Sequence, residues 1–162
     1  MKRERPSWDE YFMKVAMLVA ERATCQRRMV GAVIVKDKRI IATGYNGASR
    51  GLKDCLELGC LRDELKVPSG KDKHICRGVH AEQNAIIQAA YQGASTKGAT
   101  LYCTHDNCHI CARMIINAGI KKVVTYAETH IDDSHELFKE AGVEFVKIEK
   151  PKTEIITMDY RD

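Results

Sequence analysis

Residues 100–126 read TLYCTHDNCHICARMIINAGIKKVVTY. Thr100–Thr104 has the composition of a strand, Cys108–Ala118 has helical spacing and stops at Gly119, and Lys122–Tyr126 returns to strand character. A strand, a helix and a strand in succession imply a crossover, which sets the two strands parallel. The pattern continues downstream, with a helix over Asp132–Ala141 stopped by Gly142 and a strand over Val143–Ile148. Upstream, His80–Tyr91 (HAEQNAIIQAAY) is a helix with Ala85, Ile86 and Ala89 on one face. Met29–Lys36 (MVGAVIVK) and Arg39–Tyr45 (RIIATGY), separated by the polar turn at 36–39, form an antiparallel hairpin. Ser7 followed by Glu10 reads as a capping box. It opens a first helix with Trp8, Tyr11, Phe12, Val15, Leu18 and Val19 as its apolar stripe, ending near Cys25. The expected architecture is α/β, with three layers (α/β/α) and a mixed five-stranded sheet. Residues 1–150 make one domain, and 151–162 a C-terminal tail.

Residues 46–79 break the periodicity. Gly47, Gly51, Gly59, Pro68, Gly70 and Gly78 punctuate a long loop with one short helix expected around Leu61–Leu65. Loops of this length inside a compact domain are usually functional or braced. Hydrophobic residues are 44% of the chain and charged residues 30%, which argues against disorder. The net charge of +4 suits an anionic ligand, but the basic surplus is scattered and aromatics are 6%, which weighs against a nucleic-acid groove. No apolar run reaches the length of a membrane span. The first residues, MKRERPSWDEYF, lack a secretory h-region, so the expected setting is cytoplasmic. Cysteines there stay reduced unless they hold metal or do chemistry, and this chain has seven.

The chemistry concentrates in His80-Ala81-Glu82 and Cys108-x-x-Cys111. Either alone is weak evidence. Together, each opens a helix at one edge of the sheet, so an imidazole and two thiolates can converge, with the helix dipole helping to keep the thiols ionised. Three protein ligands leave the fourth position of tetrahedral zinc open, as in a catalytic site. Glu82, two residues past His80, points away from the imidazole direction and can move protons without being a ligand. The combination of H-x-E with C-x-x-C marks zinc deaminases acting on cytosine or adenine.

RATCQRRMVGAVIVKD (22–37), ATGYNGASRG (42–51), CRGVHAEQNAIIQAA (76–90) and GATLYCTHDNCHICARMIINAGIKKVV (98–124) resemble the deoxycytidylate (dCMP) deaminases of bacteria and phages. The resemblance runs from about Trp8 to Ile148. It implies the cytidine-deaminase fold and hydrolysis of dCMP to dUMP and ammonia, a supply of dUMP for thymidylate synthesis. It further implies His80, Cys108 and Cys111 as zinc ligands, Glu82 as proton shuttle, Asn46 at the sugar and the Ala81 backbone at the pyrimidine. Also by resemblance, the active form is a homo-oligomer, expected as a hexamer, activated by dCTP and inhibited by dTTP, with Mg2+ accompanying the effector nucleotide. The chain departs from the family pattern at Asn107, where proline precedes the first cysteine. Asparagine can cap the helix in its stead, while His105, Asp106 and His109 add polar groups nearby. The competing substrates are a base in tRNA or single-stranded DNA, and free (deoxy)cytidine.

Cys103 alternates inward on its strand and is a plain core residue. Cys25, Cys55, Cys60 and Cys76 remain, with His74 among them. They are either ordinary thiols or a second, structural zinc site, expected from Cys25, Cys55, His74 and Cys76 with Cys60 as substitute, bracing the loop. Arg28, Arg50, Lys53 and Arg77 are the candidate cations for a 5′-phosphate.

Overall fold

The computed structural model of the chain describes residues 4–69, 71–127 and 134–153. Helix α1 (Trp8–Ala20) precedes a hairpin of β1 (Gly31–Lys36) and β2 (Arg39–Tyr45). The 46–79 segment holds β3 (Gly47–Ala48), α2 (Cys55–Leu58), α3 (Leu61–Glu64), a 3₁₀ turn at Lys73–Ile75 and β4 (Gly78–Val79). Then come α4 (Ala81–Tyr91), β5 (Thr100–His105), α5 (His109–Asn117), β6 (Lys122–Ala127), α6 (Ser134–Glu140) and β7 (Glu144–Lys147).

Five strands form one sheet in the order β2-β1-β5-β6-β7, and β3 and β4 pair separately. β1 runs antiparallel to β2 and β5, whereas β5, β6 and β7 are parallel. The mixed sheet expected from the sequence is therefore present. The hairpin turns through Asp37 and Lys38, both left-handed at φ 49° and 58°. Two such residues give the turn whose twist matches that of paired strands.

The pleat sorts the core into two layers. Val33, Val35, Tyr102 and Val124 face Phe12, Met13 and Ala16 of α1. Ala32, Ile34, Leu101, Cys103 and Val123 face the other side, with Ala85 and Ala89 of α4, Ile115 of α5 and Phe138 of α6. A strand covered on both faces has no polar alternation, which explains the continuous apolar run of β1. Tyr102 reaches through the α1 layer, its hydroxyl donating to Asp9 Oδ1 at 2.6 Å. Cys103 is fully buried, and burial pushes its thiol well up, so it is an inert core group.

Several boundaries shift from those expected. α1 ends at Ala20 instead of near Cys25, and β1 starts at Gly31 instead of Met29. Packing sets both limits: a Cβ on Gly31 would run into the Ala16 carbonyl, so α1 lies directly on the start of the strand. The helix expected at Leu61–Leu65 is α3, and a second short helix, α2, precedes it, capped by Asp54 Oδ1 accepting from Leu56 N and Glu57 N. The helix expected from Asp132 is described from Ser134 onward, and its first two residues lie outside the described part. Most of the expected tail (154–162) also lies outside it, though Pro151 is buried. Among the described residues no helix is long and apolar enough to cross a membrane.

Candidate active site

Two helix starts build the site. α4 lies against β2 at Gly44, where a Cβ would run into Ala81 O and Ala85 N. Glycine in a strand interior often marks such a backbone approach. Asn84 Nδ2 ties the same turn to Tyr45 O at 2.7 Å, and His80 N donates to Gln83 Oε1 at 3.0 Å. His80 is thus the N-cap of α4, not its first residue, and Cys108 is likewise the N-cap of α5. Cap positions are extended, so these two side chains turn off the helix axes toward each other.

The ligand atoms of His80, Cys108 and Cys111 lie within 4.8 Å of one another, the one such trio among the described residues. His80 Nδ1 is 3.3 Å from Cys111 Sγ and 3.6 Å from Cys108 Sγ. Tetrahedral zinc with bonds of about 2.0–2.3 Å sets its donors roughly 3.3–3.8 Å apart, so the group fits the metal in spacing and in donor type. The thiols titrate as a pair. A hydrogen bond from Cys111, then one from His80, lowers Cys108 to about 3 against the cost of burial. The thiolate beside it, with burial, pushes Cys111 upward. Its hydrogen bond to Cys108 likewise raises His80, opposed by burial. A divalent cation bound here would displace the protons these hydrogen bonds hold.

Glu82 is 4% exposed and lines a cavity together with His80 and Cys108. Asn107, 1% exposed, donates from Nδ2 to Glu82 Oε1 at 2.9 Å. It does not cap α5, whose start has no side-chain cap bond, contrary to the role expected for it. Ala81 and Asn46 line the cavity, but the Asn46 amide is already engaged with the backbone of 28–30. Its Oδ1 accepts from Val30 N at 2.8 Å and its Nδ2 donates to Arg28 O at 2.9 Å. His105 and Asp106 also line the cavity, and His109 does not. Asp106 is fixed by Thr125 Oγ1 at 2.8 Å, and burial, then Arg28, lowers His105.

Of the four candidate cations, Arg28 is on the cavity wall. Arg50 lies over the Tyr91 ring, 5.4 Å from its centroid, and Lys53 and Arg77 are exposed elsewhere. Cys25, Cys55, Cys60 and Cys76 all line the same cavity, and burial followed by the three neighbouring thiols raises Cys55. His74 is exposed and stands off the cavity. No three of these five groups bring their ligand atoms within 4.8 Å. Asn107 and Gln83 act through contacts that sequence reading missed. Gly44, inside a strand pattern, was the signal available for the helix–sheet approach.

Three convergent donors beside a buried carboxylate have the donor types and spacing that suit a zinc-binding hydrolytic site. The family model for the cytidine and deoxycytidylate deaminase zinc-binding region matches residues 6–127, and the chain belongs to that family. It is 46% identical over 148 residues to ComE operon protein 2 of Bacillus subtilis, covering 90% of this chain and 74% of that one. It is 42% identical over 155 residues to the deoxycytidylate deaminase of Schizosaccharomyces pombe, covering 94% of this chain and 48%, about half, of the yeast protein. Among solved structures, the dCMP deaminase of cyanophage S-TIM5 in complex with dCMP and dUMP superposes with a TM-score of 0.76. It is 34% identical, with 90% of this chain and 100% of the phage chain covered.

Proposed function

We propose that this chain is a hydrolase that deaminates dCMP to dUMP and ammonia. The observation that carries the reading is the buried Glu82 carboxylate, which lines the same cavity as His80 and Cys108 of the His80–Cys108–Cys111 trio. The fission yeast and cyanophage relatives, named as deoxycytidylate and dCMP deaminases, support the same substrate.

His80, Cys108 and Cys111 would hold the zinc, which supplies Lewis acidity and makes water a competent nucleophile near neutral pH. Glu82 takes a proton from the attacking water and delivers it to N3 of the cytosine as the C4–O bond forms. It then takes the remaining proton of that water from the C4 hydroxyl and passes it to the amine, so that the C4–N bond breaks, C4=O forms and ammonia leaves. The backbone of Ala81 borders the pyrimidine and Asn46 the sugar, with both residues on the cavity wall.

Arg28 is the phosphate ligand in this reading. Among the described residues its hydrogen bond is a long one, Nη2 to Ser69 Oγ at 3.3 Å. Its neighbours on the wall are committed: Arg27 to Asp63 and Val67 O, and Arg62 to Pro68 O and Lys71 O. The proposal extends to a structural zinc on Cys25, Cys55 and Cys76, with His74 or Cys60 as fourth ligand. Cys60 is favoured by its place on the same wall. It also extends, by resemblance, to a cytoplasmic hexamer controlled by dCTP and dTTP with Mg2+. Ile87 and Tyr91, one turn apart on α4 and 53% and 77% exposed, are apolar surface suited to a second copy.

Assays on dCMP, deoxycytidine and an oligonucleotide test the core of the reading. The expected result is a kcat/KM for dCMP at least about tenfold above that for deoxycytidine, with Arg28→Ala narrowing the gap. Equal efficiency on the nucleoside refutes the nucleotide assignment, and turnover of the oligonucleotide alone replaces it.

A further inference from the structure

Asn107 sits one residue before the N-cap of α5, where its amide could cap that helix, and it does something else. The side chain crosses to α4 and donates from Nδ2 to Glu82 Oε1 at 2.9 Å, across a sequence separation of 25 residues. Both groups are out of solvent, Asn107 at 1% and Glu82 at 4% exposure. An ionised carboxylate can only accept, so the nitrogen end of the amide must face it. The other end, Asn107 Oδ1, is buried with no hydrogen-bond partner among the described residues. An unsatisfied buried carbonyl is a stability cost, so the amide's orientation is governed by Glu82 and not by its own saturation.

We infer that Asn107 is a positioning residue for the reaction, pinning Oε1 of Glu82 so that the second carboxylate oxygen is the one presented to the proton it moves. This rests on the deaminase reading above and adds to it a division of labour within one carboxylate. A glutamate on a helix has three rotatable bonds, and a shuttle that must reach water, ring nitrogen and leaving amine gains from having one oxygen fixed. The hydrogen bond also links the turn that carries Cys108 to the helix that carries Glu82. Metal and base are thereby registered to each other through side chains as well as through the sheet.

Asn107→Leu is the informative variant. It keeps the branched outline at a somewhat larger volume, deletes the donor to Glu82 and removes the orphaned carbonyl, so a purely structural role predicts a shifted melting temperature with normal turnover. The positioning role predicts instead a kcat lowered about ten- to hundredfold, with KM for dCMP nearly unchanged and one zinc retained at the catalytic site. Crystals of the zinc-loaded variant should show Glu82 in more than one rotamer, a readout independent of turnover. Asn107→Ala, which cannot overpack, should behave the same way. Wild-type kcat in both variants, loss of catalytic zinc in step with activity, or a single unchanged Glu82 rotamer would each overturn the inference. A wild-type protein inactive on dCMP would refute the substrate reading instead, and the rotamer comparison would still decide the role of Asn107.

Discussion

The starts of α4 and α5 and the segment between Ser49 and Arg77 border the same cavity, yet they are held in opposite ways. The start of α4 is fixed by backbone contact: it rests on Gly44 without an intervening side chain, and Asn84 and Gln83 tie its first turn. The segment above has two four-residue helices, a 3₁₀ turn and a set of polar ties such as Arg27 to Asp63. Its buried groups include two thiols, Cys55 and Cys60, where the domain core has branched aliphatics. On the deaminase reading, the chemistry that needs fixed distances sits on the part held by backbone contact, and the segment with few long elements supplies the rest of the wall.

The largest effect should come from the stiff part. Glu82→Ala should lower kcat by about a thousandfold while the protein still binds catalytic zinc, measured by steady-state assay with elemental analysis. Appreciable residual activity would show that another group moves the proton. Gly44→Ala follows. The added methyl must displace the α4 start, costing about 1–3 kcal/mol in denaturant titration and lowering kcat with it. A neutral outcome would mean that α4 can slide on the sheet, and the contrast between the regions would weaken.

Changes in the loop should be milder and local. Cys55→Ser should remove one of two zinc equivalents and lower the melting temperature while the catalytic zinc stays bound. A firm single equivalent in metal-replete wild type would return these thiols to ordinary packing. The smallest effect belongs to Asp63. The hydrogen bond from Arg27 lowers its carboxyl, so the pair's contribution is present above the ordinary carboxylate range. It is lost as pH falls through that lowered value. Asp63→Asn should leave the global midpoint at pH 7 nearly unchanged, because the pair is exposed. It should speed amide exchange at Val67, which donates to Arg62 O at 2.8 Å, and flatten the acid dependence of that exchange.

The stiff part was largely legible in sequence, because its demands are chemical or periodic. His80, Cys108 and Cys111 stand out by donor type, and β1, β5 and α4 by their apolar patterns. The contact between Asn107 and Glu82 was not legible, since spacing along a chain does not tell where a side chain turns after a cap. The loop was legible only as an interruption. Helices of one turn, such as α2, are too short to show a period, although Asp54 at the head of α2 was a readable cap. The expected participation of His74 rested on residue type alone, which carries no information about which face of a 3₁₀ turn meets solvent.

The small ribbon of β3 and β4 has a consequence for how such a protein can diversify. Gly47 pairs with Val79 and Ala48 with Gly78, so the chain leaves after Asn46 and returns just before His80 through a gate two residues long. Closure of the excursion is settled at the gate, and lengthening or shortening what lies beyond it adds little entropic cost. Arg62, Ser69 and Lys73 on the cavity wall all lie beyond the gate, whereas His80, Glu82 and Cys108 do not. On the deaminase reading this part of the cavity wall is an exchangeable cassette, and grafting a different one between Ser49 and Arg77 should retune which nucleotide enters while leaving His80, Glu82, Cys108 and Cys111 in register.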